Sequence, residues 1–173
     1  DPNEPPVMND YALGNAWFVD EVQYVSNANE EIEAIHGLNP QQTAVVDKKF
    51  ESIVKSIPSD AMDTIELVAY EPNYLKYEVD SEKGGTVVFS EIYYPGWQST
   101  IDGQEAAHGR ANYILRAMNV PAGKHVVEFR FDPKSLHTTE TIAFIALGLL
   151  ALLAIVTLYM SFRRPKGGRI SEA

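Results

Sequence analysis

Apolar and polar residues alternate in short runs along the chain from Thr64 to Pro133, and turn residues separate the runs. Six such runs follow one another: "TIELVAY", "YLKYEVD", "GGTVVFSEIYY", "WQSTI", "ANYILRAMNV" and "HVVEFRFDP". A period of two with many β-branched and aromatic residues is typical of strands, and the Pro, Gly and Asp-Gly positions between the runs supply the turns. The pattern predicts a mainly β fold, an antiparallel β-sandwich of the jelly-roll or immunoglobulin-like kind.

Two short helices are predicted ahead of these strands. The segment Ala16–Val25 has strand composition, and "SNANEEIEAIHG" after it has a helix cap at Ser26 or Asn27 and a stop at Gly37. Ile32 and Ile35 are the expected buried stripe of that helix, and its acidic face is expected to be solvated.

The second helix is predicted after a short strand, "TAVVD". Apolar residues in "KKFESIVKSIP" recur at i, i+3, i+4 and i+7, which is helical spacing, before Pro58 ends the segment. These apolar residues are Phe50, Ile53, Val54 and Ile57.

The segment "TIAFIALGLLALLAIVTLYMSF", residues 141–162, contains no charged residue. About 20 apolar residues at about 1.5 Å each span a hydrocarbon core of about 30 Å, and a buried core helix is rarely apolar on every side. Four basic residues follow it, and Lys and Arg concentrate on the cytoplasmic side; they are Arg163, Arg164, Lys166 and Arg169. We therefore predict a linker (1–9), an extracytoplasmic β-rich domain (10–140), a transmembrane helix (141–162) and a basic cytoplasmic tail (163–173).

The start of the chain, "DPNEPPVMNDYALGNAWFV", lacks the basic and apolar regions of a signal peptide. Export of a domain that precedes its membrane helix needs such a signal or earlier spans. We therefore expect the chain to be a fragment whose export depends on upstream transmembrane segments of the same polypeptide.

Charge and cysteine content exclude several classes of function. Up to Glu140 there are ten Lys and Arg against twenty-three Asp and Glu, a balance of −13. A segment with this acidic balance lacks the basic clusters that bind nucleic acid. The chain has no cysteine, which excludes disulfides, thiolate metal sites and a cysteine nucleophile.

Catalytic constellations are not evident in the sequence. The four histidines are scattered, and neither a G-x-S-x-G elbow nor a phosphate-binding G-x-x-x-x-G-K-[ST] loop occurs. Glu91 lies among aromatic residues, where a carboxyl group could act as an acid with a raised pKa; an ion pair with Arg110 or Arg116 is the favoured interpretation. We expect no autonomous active site, no metal and no cofactor.

The stretch "SEIYYPGWQSTIDG", residues 90–103, places three aromatic residues around a Pro-Gly turn. Exposed rings beside polar groups bind sugars, whereas large rings at a strand end more often fill the space between sheets, which the composition favours. Both alternatives stay open. The candidate ligand-binding residues are Glu91, Tyr93, Tyr94, Trp97 and Arg110.

These residues also carry a family resemblance. The order Tyr94-Pro95-Gly96-Trp97, Asp102-Gly103, Leu115-Arg116-Ala117 and Val120-Pro121-Ala122-Gly123-Lys124-His125, ending at a membrane span, resembles the C-terminal region of the YfhO family. "YALGNAWFVDEVQYV" is similar to the segment found in Bacteroidetes-type members, and the resemblance covers most of residues 10–165.

The YfhO family consists of large polytopic bacterial membrane proteins that are similar to GT-C-type glycosyltransferases. The resemblance implies a non-catalytic extracytoplasmic domain that assists transfer of sugar from a lipid-linked donor to a cell-envelope polymer. The carboxylates expected to catalyse transfer belong to an early loop outside this sequence, so no catalytic residue is carried over. The implied partners are the lipid bilayer, the upstream transmembrane region and a glycan or lipid-linked sugar. The alternatives are a structural or protein-docking domain and a membrane-anchored carbohydrate-binding module.

Overall fold

A computed structural model describes Asn9 and residues 12–163 of the 173-residue chain. Most of the predicted linker (1–8) and the basic residues Arg164, Lys166 and Arg169 of the predicted tail lie outside the described residues. The chain divides into two compact units, one ending at Asp132 and the other beginning at Pro133.

The first unit is built mainly of strands. In the described residues they are β1 (Ala16–Val19), β2 (Glu21–Val25), β3 (Thr43–Asp47), β4 (Thr64–Glu71), β5 (Tyr74–Ser81), β6 (Gly85–Ile92), β7 (Trp97–Ile101), β8 (Gln104–Glu105), β9 (Gly109–Ala111), β10 (Leu115–Val120) and β11 (Gly123–Phe131). Two antiparallel sheets, ordered β1-β6-β10-β9 and β4-β5-β11-β7-β8, contain all but β2 and β3.

The two antiparallel sheets share one hydrophobic core. It draws buried residues from β5 and β11 of one sheet and from β6 and β10 of the other. At its centre the rings of Tyr77, Phe89 and Phe129 meet edge to face, with centroids 4.9 to 6.1 Å apart. Facing sheets with interdigitated apolar side chains confirm the predicted antiparallel sandwich.

A third layer, which the sequence pattern did not predict, covers the outer face of the four-stranded sheet. Strands β2 and β3 pair in parallel there, and Val88 and Ala117 of the sheet pack against Val22 and Val46 of that pair. The predicted single strand Ala16–Val25 is therefore wrong: it is two strands, because β1 pairs with β6 while β2 pairs with β3.

The first predicted helix is α1 (Ala28–Ala34), which connects β2 to β3. Its predicted cap is confirmed, since the Asn27 side chain accepts hydrogen bonds from the backbone N–H groups of Asn29 and Glu30. The predicted buried stripe is wrong: Ile32 is 45% exposed, whereas Glu31 of the supposedly solvated face is completely buried.

The second predicted helix is reduced to a single 3-10 turn, Lys48–Phe50. The N–H groups of Ile53 and Val54 still donate to the carbonyl of Phe50, but beyond Val54 the backbone binds side chains of the four-stranded sheet instead. Lys55 N–H donates to the side-chain oxygen Oδ1 of Asn119 at 2.7 Å, and Ile57 N–H donates to the Thr86 hydroxyl at 3.1 Å. Tertiary hydrogen bonds thus override the helical spacing of Phe50, Ile53 and Val54.

The predicted strand "ANYILRAMNV" is also interrupted. Asn112 and Tyr113 have positive φ angles of 49° and 72°, which separate β9 from β10. Asn112 exchanges two hydrogen bonds with Val45 of β3, donating its backbone N–H to the carbonyl and accepting at its side-chain oxygen. The interruption therefore joins the sandwich to the third layer.

The second unit contains helix α2 (Lys134–Arg163). Within the described residues, the segment Ser135–Arg163 is the one helix long and apolar enough to cross a membrane. It includes the predicted span 141–162.

Candidate functional site

The aromatic turn Tyr93–Gly96 connects β6 to β7 and is fixed to two other segments. Tyr93 N–H donates to the carbonyl of Ile114 at 2.7 Å, and Asp132 N–H donates to the carbonyl of Gly96 at 2.8 Å. Gly96 has a φ of 105°, a conformation that glycine adopts without strain. The turn is thus held in place from both sides.

Trp97, at the start of β7, packs partly buried against the sandwich core. The guanidinium of Arg116 lies over its ring, with Cζ 4.0 Å from the centroid, and the ring of Phe131 is 5.4 Å away. Trp97 is therefore half-buried, with its ring packed against the core.

Arg116 is a buried cation beneath the turn. The residue is 1% exposed, its Nε donates to the carbonyl of Ile92 at 2.9 Å, and its Cζ lies 5.1 Å from the ring centroid of Phe129. Burial lowers the pKa of the guanidinium, and the charge of Glu91 opposes that shift. Nη1 has no hydrogen-bond partner within the described part of the chain.

Two clefts open beside the turn and share Tyr94 and Trp97 as walls. One has a volume of about 380 Å³, and its polar lining comes from Asn73, Glu91 and Arg116. The other has a volume of about 300 Å³, with Tyr93 and His108 in its lining. Tyr94 is 60% exposed, so its ring is the most accessible aromatic surface of the turn.

His108 and Tyr93 form the wall of the smaller cleft. Their ring centroids are 5.6 Å apart, and Tyr93 also contacts Phe50 at 5.4 Å. The Ser99 hydroxyl donates to the carbonyl of Ala106, so His108 Nδ1, 2.7 Å from that hydroxyl, is the donor to it. Because its proton points to the Ala106 carbonyl, Ser99 does not form a nucleophile–base pair with His108.

The environment of His108 keeps its ring neutral. Burial foremost, and then the nearby charge of Arg116, lowers the pKa of His108 to about 4. With Nδ1 protonated, Nε2 is the ring's hydrogen-bond acceptor.

Arg110, by contrast, lines neither of these clefts. Its Nη2 lies 2.5 Å from a carboxylate oxygen of the buried Glu31, and the other oxygen of Glu31 accepts the backbone N–H of Tyr113 at 2.9 Å. The Glu91–Arg110 ion pair allowed by the sequence is therefore not formed. Nor does Glu91 form a direct ion pair with Arg116, although the two residues line the same cleft.

A third cleft, of about 570 Å³, lies elsewhere, over β4, β5 and β11. His125 lines it, and its Nδ1 lies 2.6 Å from Oδ2 of Asp102. No group of three or more His, Asp or Glu in the described residues is arranged to hold a metal ion.

The structure thus brings four of the five predicted site residues together, Glu91, Tyr93, Tyr94 and Trp97, and places Arg110 apart. The sequence indicated Arg116 as an ion-pair partner and as part of the family motif, but not as a site residue, although Arg116, Met118 and Val120 share one parity on β10 and Met118 and Val120 belong to the sandwich core. That alternation was a signal for a buried cation. No comparable signal identified His108 or Glu31.

Comparison with known proteins gave one family. The model of "Bacterial membrane protein YfhO" matches residues 36–160, which include the aromatic turn, both clefts and most of α2. No curated protein and no solved structure matches the chain. The family match and the apolar helix α2 together indicate a membrane protein.

Proposed function

The chain belongs to the YfhO family of bacterial membrane proteins, and we propose that its β-rich unit is a non-catalytic, sugar-binding extracytoplasmic domain. It serves a polytopic, glycosyltransferase-like parent protein by assisting transfer of sugar from a lipid-linked donor to a cell-envelope polymer. The observation that carries this proposal is the exposed ring of Tyr94, which lines two adjoining clefts together with polar side chains.

Sugar binding fits the chemistry of the turn. A pyranose offers apolar C–H faces that pack on aromatic rings and hydroxyl groups that need convergent donors and acceptors. Tyr94 supplies the accessible ring, Tyr93 and Trp97 the walls, and Glu91 an acceptor. Arg110 acts indirectly in this proposal, since its pairing with Glu31 holds α1 against the sandwich.

Binding to glycans is tested with the full chain in lipid nanodiscs on an array of bacterial envelope glycans. We expect Tyr94→Ala to weaken binding, by roughly fivefold or more, to whichever glycans the native chain retains. Tyr70→Ala is the matched control, because Tyr70 is similarly exposed, at 68%, but lines none of the clefts described above. Equal binding by native chain and Tyr94→Ala, or no binding to any glycan, would overturn the proposal.

The proposed orientation places residues 10–140 outside the cytoplasm and the basic tail inside, with residues 141–162 as the span. Basic residues Arg163, Arg164, Lys166 and Arg169 support it through the preference of Lys and Arg for the cytoplasmic side. The absence of cysteine allows a direct test with single cysteines and a membrane-impermeant maleimide. We expect Met62→Cys, at an 82% exposed site, to react in intact cells, and Ser171→Cys to react only after permeabilisation. The reverse labelling pattern would show that the chain has the opposite orientation in the membrane.

The parent polypeptide is tested by immunoblotting native membranes with an antibody against residues 1–140. A band several times the mass of this chain supports a polytopic parent. A band at 19.3 kDa would instead leave a membrane-anchored carbohydrate-binding module.

A structural or protein-docking domain is the second candidate, and the burial of Trp97 against the core favours it. It differs from the first in predicting no sugar binding by the full chain and no effect of Tyr94→Ala on function of the parent protein.

A further inference from the structure

The cleft lined by Arg116, Glu91 and Tyr94 contains a polar group that the fold leaves without a partner. Arg116 is 99% buried and forms part of the wall, yet its Nη1 makes no hydrogen bond to any residue that the structure describes. An unpaired donor on a buried cation costs folding free energy. Nη1 itself is shielded from solvent, although Arg116 as a residue lines the cleft. A buried group that is retained at such a cost beside a cleft is a candidate contact for a ligand that enters it.

Glu91 complements this donor from the same cleft. It is partly buried, and its charge raises the pKa of Arg116 against the larger, lowering effect of burial, but the two side chains do not form a direct ion pair. Asn73 contributes an amide to the same wall. A cation, a carboxylate and an amide around one cleft offer both donors and acceptors, which is what vicinal hydroxyl groups require.

The arrangement of the rings distinguishes their roles. One face of Trp97 is occupied by the guanidinium of Arg116 at 4.0 Å, and Phe131 packs beside it at 5.4 Å. Tyr94 is only loosely packed on Phe131, with centroids 6.3 Å apart, and is 60% exposed. Tyr94 is therefore the ring available for stacking, while Trp97 holds Arg116 in place.

Charge and size limit the ligand. The carboxylate of Glu91 offsets the charge of Arg116, and the balance of −13 up to Glu140 repels anions. A volume of about 380 Å³ lies at the small end of the range for ligand pockets, so it suits a single ring rather than an extended chain.

We propose that this cleft is a subsite for one uncharged pyranose ring, which stacks on Tyr94, accepts a hydrogen bond from Arg116 and donates one to Glu91. The proposal rests on the proposed function and names its ligand class, the cleft used and Arg116 as a contact. The other end of a bound glycan then extends out of the cleft past the exposed Tyr94.

Saturation-transfer NMR with the full chain in nanodiscs tests the subsite. The probes are methyl α-D-glucopyranoside, methyl α-D-mannopyranoside and, as the anionic analogue, glucuronate. We expect transfer to a methyl glycoside and little to glucuronate. Glu91→Ala, Arg116→Met and Tyr94→Ala are each expected to weaken glycoside binding by roughly fivefold or more, the effect of losing one ordinary contact.

Matched controls are Glu33→Ala and Tyr70→Ala, both at exposed positions away from the cleft, and they should leave transfer unchanged. If Arg116→Met does not fold, Glu91→Ala and Tyr94→Ala still decide the outcome. Stronger transfer to glucuronate than to the glycosides would overturn the proposal that the ligand is uncharged. Transfer unaffected by Glu91→Ala and Tyr94→Ala would overturn the subsite.

The glycan array separates this inference from the function on which it rests. Array binding that depends on Tyr94, combined with no effect of Glu91→Ala or Arg116→Met, would overturn the subsite and leave the proposed function standing. No binding to any array glycan or methyl glycoside would overturn both.

Discussion

The guanidinium of Arg116 lies over the indole ring of Trp97, with Cζ 4.0 Å from the ring centroid. The two side chains belong to strands of different sheets, so this contact links β7 to β10 across the sandwich. Cations over aromatic rings are stabilised most where water is excluded, as it is around Arg116. The turn therefore divides into a structural part, Trp97 on Arg116, and an accessible part, Tyr94.

Replacing Trp97 tests its structural role. Trp97→Ala removes packing against the core and exposes Arg116, and we expect it to lower the free energy of unfolding by about 3 kcal/mol. The measurement is urea unfolding of the full chain in detergent, followed by circular dichroism. Tyr94→Ala, at an exposed position, should stay within about 0.5 kcal/mol of the native chain. Similar losses for the two variants would contradict the division of the turn.

Glu31 and Arg110 give a second prediction about stability. Glu31→Ala leaves Arg110, whose side chain is only 20% exposed, without its carboxylate and leaves the N–H of Tyr113 without an acceptor. We expect a loss of about 3 kcal/mol in the free energy of unfolding, because one partner of a buried ion pair is left behind.

The double variant Glu31→Ala/Arg110→Met should regain part of that loss, since the orphaned charge is then gone. Glu33→Ala, on the exposed face of α1, is the control and should change little. A loss from Glu31→Ala no larger than that from Glu33→Ala would show that the buried pair is not stabilising.

The β-sandwich and the apolar helix could be predicted because their patterns are local. Alternation in β4, β5 and β11 and the uncharged run in α2 are visible without knowledge of any neighbour. The turn at Asp102-Gly103, where both residues have positive φ, follows from the preference of that pair for hairpin turns.

The third layer could not be predicted, because long-range hydrogen bonds decide it. Asn119 and Thr86 hold the backbone of Lys55 and Ile57, and Asn112 holds Val45, at separations of 29 to 67 residues. The burial of Glu31 likewise depends on Arg110, 79 residues away. A helical spacing and an acidic helix face carry no sign of such partners.

The candidate site was predictable as a cluster but not in its geometry. Adjacency along the chain brings Glu91, Tyr93, Tyr94 and Trp97 to one turn. Which ring is buried depends on Arg116, which reaches Trp97 from another sheet. The prediction that Arg110 joins this cluster was wrong, because its partner Glu31 lies on α1 and draws it to another part of the fold.

His108 predicts an unusual dependence of stability on pH. Its folded-state pKa of about 4 lies below the ordinary value of 6.5. Between about pH 4 and 6.5, therefore, His108 is mostly protonated in the unfolded chain and mostly neutral in the folded chain. Stability therefore falls as the pH drops from about 6.5 to 4, by up to about 3 kcal/mol from this group.

The measurement compares urea unfolding at pH 7 and pH 4.5 for the native chain and for His108→Asn, whose amide still donates to Ser99. The carboxylates titrate alike in both proteins, so the difference between them isolates His108. We expect the variant to lose less stability than the native chain on acidification. An equal loss in both would contradict a depressed pKa.

His125 has the opposite shift. Its Nδ1 lies 2.6 Å from Oδ2 of Asp102 and its Nε2 lies 3.0 Å from the carbonyl of Ala122, so both ring nitrogens face acceptors and the protonated ring is favoured. The hydrogen bond to Asp102, then that to Ala122, raises the pKa of His125. The same bond to His125, then the N–H of Val126, lowers the pKa of Asp102.

The signs of these two shifts set the pH range in which the pair stabilises the fold. The raised pKa of His125 gives a contribution that is complete below about 6.5 and lost as the pH rises through its folded value. The lowered pKa of Asp102 gives one that is complete above about 3.8 and lost as the pH falls through its folded value.

We therefore expect Asp102→Asn, which tolerates the positive φ of 51° at this turn and keeps an acceptor for Val126, to destabilise the chain most between about pH 4 and 6.5. An NMR titration of the His125 ring should show its pKa above 6.5 in the native chain and closer to 6.5 in Asp102→Asn. An unchanged His125 titration in Asp102→Asn would mean that the Asp102 carboxylate does not hold the proton on the ring.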